Sequence, residues 1–252
     1  GAGAFKGGSK DGGIFLRRFS QTSGGSFKAV KNRLNKVVSA GSQKLLNGSN
    51  VKHRVINFSA KVSSLDQLCA QATGLDPLLR LKVQEWALAS RGCFRVEDPT
   101  SRSPKFAMWE LVKDIPQVRD TVRWGKLKKV SRAVEKLLRS YREDVSRLCD
   151  VCRQSIVFER VEDLAACVQA MAVDPEIDIV RCKNRLDLNY NSYESAGYRD
   201  VALNVRIHNH ASAALGLDVH VCEVLLLLRS FAEVKNEEGH MRYRMFRNAR
   251  GE

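Results

Sequence analysis

The stretch "GYRDVALNVRI", Gly197–Ile207, alternates apolar and polar residues directly after a Gly-Tyr pair. Its apolar side chains fall on one face, namely Val201, Leu203, Val205 and Ile207. Asn204 and Arg206 fall on the other face, which is the pattern of a strand that has one side in the core and the other toward solvent. The stretch therefore predicts a turn at Gly197 followed by a strand of a sheet.

The segments on either side of this strand extend the sheet. "DVHVCEVLLLL", residues 218–228, is typical of a buried strand. "QSIVFE" predicts another strand, the apolar spacing between residues 164 and 171 predicts a helix, and "IDIVRCKN" predicts a strand with Arg181 and Lys183 on one face. Together with a helix from about residue 230 to 247, this order predicts an α+β fold, with a mixed sheet of about five strands flanked by helices.

An N-terminal helical layer is predicted from capping signals. Ser64–Gln67 has the form of a capping box, Asp76-Pro77 is typical of a second helix start, and Gly92 is typical of a helix end. The stretch "CFRVEDPTSRSP", residues 93–104, predicts a loop. The longest helix is expected from residue 126 to about residue 148, with one apolar stripe and basic residues on its other faces.

Most of the positive charge lies at the N-terminal end of the sequence. Residues 1–55 contain 11 Lys or Arg and one acid, so they carry +10 of the net charge of +14. Ten of the 17 glycines lie in the first 50 residues, and such a segment cannot bury enough apolar surface to fold alone. We predict an extended basic tail over residues 1–60, which favours RNA, an anionic membrane face or an acidic protein surface as its partner.

Composition also bears on where the protein works. The segment 14–34 is rich in Arg, Lys and Ser and free of acids, which resembles an organellar transit sequence and predicts a mitochondrial or plastid location, with the cytoplasm as the alternative. No apolar run approaches the roughly 18 residues of a spanning helix. The seven cysteines are scattered, and Cys149 and Cys152 have no second pair or His at zinc-ligand spacing, so reduced thiols are expected.

Three groups of residues converge on a phosphate-rich ligand. Basic residues of the predicted long helix precede the sheet, namely Lys126, Lys128 and Lys136. Two acids, Asp150 and Glu223, lie at or within predicted strands, where a carboxylate is costly unless it is paired or binds a metal such as Mg²⁺. A third group offers cations for phosphates and a ring for a base: Arg181, Lys183, Arg185 and Tyr198. Ordinary salt bridges are the alternative explanation of the same residues.

The order of these landmarks resembles that of the RelA/SpoT-like nucleotidyltransferases, which move pyrophosphate from ATP to the 3′-hydroxyl of GDP or GTP. The resemblance rests on "GYRDVALNVRI", "HVCEVLLLL" and "EEGHMRY", and it covers about residues 123–247. It divides the chain into the basic tail of residues 1–60, a helical region of residues 61–122 and a nucleotidyltransferase-like domain of residues 123–252.

The resemblance also implies roles for individual residues. The ATP-facing R-x-K pattern, with a further Lys eight residues on, corresponds to Lys126, Lys128 and Lys136. Asp150 corresponds to the metal-binding aspartate, and Glu223 to the conserved acid of the last strand, so these two imply Mg²⁺ binding and, if the protein is active, catalysis. The implied nucleotide contacts are Arg181, Lys183, Arg185, Tyr198 as a guanine-stacking ring, and His240.

Several residues depart from the pattern of the resembled family. In its "DIxGxR" motif, Arg153 replaces the small residue and Ser155 replaces the Arg. Its "GYQSLH" becomes "GYRDVA", with Ala202 for the His, and Leu225 and Leu227 replace polar residues. These losses predict a catalytically degenerate domain that serves as a subunit of a larger assembly, such as an organellar ribonucleoprotein, docked through residues 1–55. The alternative is an active or sensing guanine-nucleotide pyrophosphokinase.

Overall fold

The computed structural model of the chain describes residues 61–98, 104–234, 241 and 245–246. The predicted basic tail and His240 lie outside the described residues. The predicted α+β architecture is confirmed, although the sheet has six strands where about five were expected. The strands are β1 (Cys93–Val96), β2 (Lys105–Met108), β3 (Arg153–Phe158), β4 (Ile177–Asn184), β5 (Val201–Ile207) and β6 (Val221–Leu228).

The sheet is mixed and has the strand order β2-β1-β3-β6-β5-β4. β3 and β6 pair in parallel, and the other neighbouring strands pair antiparallel. The helices are α1 (Leu65–Ser90), α2 (Trp109–Val112), α3 (Pro116–Arg119), α4 (Val130–Lys136), α5 (Val161–Val173), α6 (His210–Ala214) and α7 (Arg229–Val234). Because β1 and β2 join the same sheet as β3, residues 61–122 and the chain that follows share one core.

The loop predicted for residues 93–104 was wrong, because β1 begins at Cys93. The side chains of Cys93 and Phe94 are buried, and the Phe94 ring lies 5.5 Å from the Trp109 ring and 4.9 Å from the Trp124 ring, measured between centroids. A four-residue strand is too short to show alternation in the sequence. Its strand state depends on these aromatic contacts, which join residues distant in sequence.

Helix α1 is one helix where two were predicted. Ser64 caps it as expected, accepting a hydrogen bond from the backbone N–H of Gln67, but the helix continues through Pro77 to Ser90. An internal Pro costs about 3 kcal/mol. The apolar stripe that runs across Pro77 is buried against the sheet and offsets this cost, and its members are Leu68, Ala72, Leu75, Leu79, Val83 and Trp86.

The long helix predicted for residues 126–148 was also wrong. Residues 126–129 are not helical, and the backbone N–H of Lys128 donates to the carbonyl of Val151. α4 is short and is followed by one π-helical turn, Leu137–Tyr141. Three members of the predicted stripe are exposed, namely Val130 (53%), Val134 (40%) and Leu138 (63%). Its members Leu137, Val145 and Leu148 are buried, as is Ala133, which the stripe did not contain, so the pattern identified only part of the face that meets the core.

The two faces of the sheet differ in their cover. α1 and α5 pack on one face and enclose the main apolar core with the even-numbered residues of β6. The other face carries a smaller apolar cluster made of Cys93, Val157, Leu227 and Ala232. Beside that cluster, the same face holds most of the polar side chains named above. In the described part of the chain no helix combines the length and apolarity needed to cross a membrane.

We expect His220 to make the stability of the fold depend on pH. The side chain is 2% exposed, its Nε2 has no hydrogen-bond partner in the described residues, and burial lowers its pKa to about 4. Below about pH 6.5 the unfolded chain therefore binds a proton on this side chain that the folded chain does not bind. The free energy of unfolding consequently falls as pH drops from about 6.5 to 4. Urea unfolding should show a loss of about 2 kcal/mol from this residue between pH 7 and pH 5.

The matched variants for this measurement are H220Q and H210Q, because His210 is exposed. H220Q should flatten the pH dependence, and H210Q should keep that of the wild type. An H220Q protein whose stability falls as steeply as that of the wild type would contradict the assignment.

Candidate functional site

A row of polar side chains crosses the face of the sheet that α1 and α5 leave uncovered. Arg153 of β3 is in register with Glu223 of β6, Glu223 with Asn204 of β5, and Asn204 with Arg181 of β4. The four side chains point to one face because in-register residues on neighbouring strands share a side of the sheet. The row places one acid and one amide between two guanidinium groups.

The next row along the strands is apolar at its centre and polar at its two ends. It contains Ser155, Leu225, Ala202 and Lys183, in strand order. Leu225 packs against the smaller apolar cluster, and Ala202 is 9% exposed. The middle of the site is therefore polar at the end of the sheet near Asp150 and apolar one row further on.

Asp150 lies just before β3 and binds two lysines through one oxygen. Its Oδ2 lies 2.6 Å from Nζ of Lys128 and 2.9 Å from Nζ of Lys136. The Asp150 and Lys128 side chains are each about one-eighth exposed, at 13% and 12%. Burial raises the pKa of Asp150, but the charges of Lys136 and Lys128 outweigh it and hold that pKa below its ordinary value.

The two lysines differ in their own electrostatics. Burial opposes the charge of both, and Asp150 favours it. The pKa of Lys128 is lowered, because burial is joined by the nearby charges of Lys136 and Arg153. The pKa of Lys136 is raised, because Tyr141 adds to the effect of Asp150 and its ring lies 5.0 Å from the Lys136 Nζ. Lys128 is thus the lysine of this cluster whose charged form is less favoured.

A close backbone approach places Lys128 beside β3. A Cβ atom on Gly125 would lie 2.4 Å from the carbonyl oxygen of Arg153, so only glycine fits there without a shift. The amide of Gln154 exchanges two hydrogen bonds with the Gly125 backbone and donates a third to Asp76 of α1. This buried network fixes the segment that brings Lys128 to Asp150.

Glu223 is the second carboxylate of the site. Burial raises its pKa, and the negative charge of Asp150 raises it further, while Lys136 and Arg153 act in the opposite direction. Two carboxylates that raise each other's cost of ionisation favour a cation between them.

The two carboxylates fit a Mg²⁺ ion. The Oδ1 atom of Asp150 is buried and has no hydrogen-bond partner in the described residues. Within those residues no three His, Cys, Asp or Glu side chains gather into a metal site, so such an ion would take its remaining ligands from water and phosphate. That is the usual coordination of Mg²⁺ in phosphoryl-transfer sites. Asp150 and Glu223 are the residues that would hold it.

Arg185 and Tyr198 both contact Asp200. The Arg185 guanidinium forms an ion pair with Oδ1 of Asp200, whose side chain is 2% exposed. The Tyr198 hydroxyl donates to the same carboxylate, and its ring packs against the smaller apolar cluster. Burial, followed by the charge of Asp200, raises the pKa of Tyr198. Both groups therefore have internal partners.

Arg199 closes the loop that precedes Tyr198. Its guanidinium donates to the carbonyls of Arg185, Asp187 and Tyr190. Lys183 points toward the Tyr190 ring, at 5.9 Å from its centroid. The left-handed turn at Ala196 and Gly197, with φ of 51° and 83°, then leads into β5 as the Gly-Tyr pair predicted.

The structure brings together some of the predicted site residues and separates others. Lys128, Lys136, Asp150 and Glu223 share one cluster, and Arg181 lies at the far end of the first row. Lys126 is exposed, and His240 lies outside the described residues. Sequence reasoning missed Asp200 and Asn204, whose amide donates to the Cys149 carbonyl at 3.3 Å. Both stand at alternating positions in the sequence, but Asn204 meets Cys149 in the loop before β3, and Asp200 meets Arg185 and Tyr198 in the loop between β4 and β5.

Solved structures with a similar fold include small alarmone synthetases and a GTP pyrophosphokinase family protein. Small alarmone synthetase 1 from Bacillus subtilis has 13% sequence identity and a TM-score of 0.47, over 71% of this chain and 79% of that chain. Small alarmone synthetase 2 from the same organism has 14% identity and a TM-score of 0.45, over 71% and 80%. A GTP pyrophosphokinase family protein from Streptococcus pneumoniae has 13% identity and a TM-score of 0.43, over 71% and 75%.

No family model and no curated protein matches the chain. The likeness to the solved structures concerns the fold. The assignment of the site rests on the side chains described above.

We expect the pair of Lys128 and Asp150 to be energetically coupled. D150N leaves two lysines without their counter-charge and should destabilise the protein by about 2–3 kcal/mol. The K128M/D150N double variant should lose at least about 1 kcal/mol less than the sum of the two single variants, measured by urea unfolding.

The exposed pair of Arg132 and Glu135, with side chains 46% and 42% exposed, is the matched control. Its cycle, with R132M and E135Q, should give a coupling energy below about 0.5 kcal/mol. Equal coupling in the two cycles would show that the Asp150 cluster is no more than a surface ion pair.

Proposed function

We propose that this chain is a nucleotidyltransferase-like domain that binds a nucleotide polyphosphate with Mg²⁺ but does not transfer pyrophosphate. In this proposal it serves as an interaction subunit of a larger assembly. Three features support it: a phosphate side of the site that is retained, an acceptor side that is closed, and a basic segment that docks the chain.

The contact of Asp200 with both Arg185 and Tyr198 carries the proposal. In the resembled motif a Ser stands where this chain has Asp200, so the carboxylate is an addition of this sequence. Tyr198 is already partly buried against the smaller apolar cluster, and a phosphate on Arg185 would have to displace a buried ion pair. Separating a buried pair leaves an uncompensated charge and is costly.

The surroundings of Glu223 support the same conclusion. Phosphoryl transfer depends on positioning and on neutralising charge that develops between donor and acceptor. Ser155, Leu225 and Ala202 supply no charge along the second row. Each lost charge-assisted contact is worth about 1.5–3 kcal/mol, which is about one to two factors of ten in rate for a contact made in the transition state.

The side of the site that would bind phosphates keeps its lysines and its carboxylates. Lys128 and Lys136 lie next to Asp150, so on binding of a polyphosphate they would exchange one carboxylate oxygen for phosphate oxygens. Mg²⁺ would supply charge neutralisation between the phosphates and the two carboxylates. Asp150 would hold it through the unpartnered Oδ1, and Glu223 would accept it because the ion relieves the repulsion from Asp150.

The assembly part rests on the charge distribution of the sequence. Residues 1–55 carry +10, and a basic, Gly-rich segment of this kind binds an anionic surface. We extend the proposal to a ribonucleoprotein of mitochondria or plastids, because the Arg- and Ser-rich segment 14–34 resembles the region just after an organellar transit sequence. Phosphate contacts of the tail would make the docking sensitive to salt.

An active pyrophosphokinase is the second candidate, and one observation favours it. Both carboxylates needed for metal-assisted transfer are present, and the Asp150 Oδ1 has no partner in the described residues. In this reading Glu223, with its raised pKa, would accept the proton of an attacking 3′-hydroxyl.

A nucleotide assay separates the two candidates. Purified full chain is incubated with ATP, Mg²⁺ and either GDP or GTP, and products are separated by anion exchange alongside an active synthetase. We expect Mg²⁺-dependent binding of nucleotide without any pyrophosphorylated guanosine, even at high protein concentration. Product that forms in the wild type and disappears in E223Q would overturn the silent-domain proposal and establish the enzyme.

Docking of the tail is tested by fractionating a cell extract at increasing salt. We expect the protein to sediment with a large particle and to be released as salt rises. Changing Lys28, Lys31, Arg33 and Lys36 to Gln should weaken this association. The control changes four exposed basic residues outside the tail, Arg95, Lys105, Arg119 and Arg160, and should stay bound. Sedimentation as a free monomer at low salt would contradict the docking.

A further inference from the structure

Arg153 is half-buried, and its guanidinium has no hydrogen bond or ion pair within residues 61–98 and 104–234. It lies on the same face of the sheet as Glu223 and in register with it, yet no ion pair joins the two. Its charge reaches both Lys128, whose pKa it helps to lower, and Glu223. A guanidinium without an internal partner is available to an incoming anion.

The charges around Arg153 call for an anion. Lys128, Lys136 and Arg153 face Asp150 and Glu223, so three cations meet two carboxylates even when both acids are ionised. Asp150 directs one oxygen to both lysines, and burial and Asp150 raise the pKa of Glu223. If the two carboxylates hold Mg²⁺, the site gains two more positive charges, and only a ligand with several negative charges balances it.

The position of Arg153 on β3 tells where that anion lies. Side chains two residues apart on a strand share a face and are separated by about 6.6 Å. Arg153 thus lies on the same face of the sheet as Ser155, but two residues closer to Asp150 along the chain. The phosphate that it meets lies at the Asp150 end of the sheet, away from the apolar second row.

We propose that Arg153 receives the terminal phosphate of a nucleoside triphosphate and makes the site prefer triphosphates to diphosphates. This inference rests on the proposed nucleotide binding and names its ligand class and the residue that selects it. The planar fork of the guanidinium binds two phosphate oxygens at once, which an ammonium group does not reproduce. Lys128 and Lys136 bind the inner phosphates, which diphosphates also have.

The test is the affinity of the full-length protein for Mg·ATP, Mg·ADP, Mg·GTP and Mg·GDP, measured by calorimetry. R153A should weaken triphosphate binding about 10-fold to 100-fold and diphosphate binding less than about threefold. R153K should recover only part of the loss. The control is R95A, because Arg95 is an exposed arginine of β1 in the same sheet, and it should bind as the wild type does.

The R153A/S155R variant adds a guanidinium one pleat repeat away and should not restore the preference for triphosphates. Wild-type-like triphosphate affinity in R153A, with diphosphate affinity also unchanged, would overturn this inference and leave nucleotide binding intact. Loss of triphosphate and diphosphate binding by the same factor would also overturn it. A wild-type protein that binds none of the four nucleotides at millimolar concentration overturns the proposed function together with this inference.

Discussion

The site depends on the parallel register between β3 and β6. That pairing sets Arg153 beside Glu223 and brings the loop before β3, with Asp150, to the start of β6. A slip of one residue would turn the alternate side chains of a strand to the opposite face. The slip is prevented by the other face, where Ile156, Phe158, Val224 and Leu226 are buried under α1 and α5. Apolar burial on one side of the sheet thus positions the charges on the other.

The two halves of the site are held by different kinds of interaction. On the proposed phosphate side, lysines and a carboxylate neutralise each other, and within the described residues one Asp150 oxygen and the Arg153 guanidinium have no partner. In the proposed function an anion and a cation would enter there without leaving a buried charge alone. On the acceptor side, Asp200 holds Arg185 and Tyr198, and Arg199 ties the loop between them. A nucleotide could enter there only by breaking these contacts, and Ser155, Leu225 and Ala202 in the neighbouring row offer no charge in their place.

The sequence was informative where a pattern was local. The alternation in β5, the apolar run of β6 and the Ser64 cap each depend on neighbours in the chain, and each was predicted. It was uninformative where packing decided the outcome. β1 depends on Phe94 meeting Trp109 and Trp124, and α1 passes through Pro77 because a long apolar stripe is buried on both sides of it.

The candidate site divides in the same way. Asp150, Glu223 and the lysines could be named from motif order. The role of Asp200 could not, because its partners Arg185 and Tyr198 meet it only once β4 and β5 pair and the preceding turn folds back. The guanine-stacking role of Tyr198 and the nucleotide role of Lys126 stay predictions.

The central claim is that one side of the site is open to a polyphosphate while the other side is closed. The most direct measurement is a crystal structure of the full chain grown with Mg²⁺ and a non-hydrolysable ATP analogue. We expect Lys128 and Lys136 to bind phosphate oxygens near Asp150, while Arg185 and Tyr198 keep their contacts with Asp200. A nucleotide base stacked on Tyr198, with Arg185 turned away from Asp200, would contradict it.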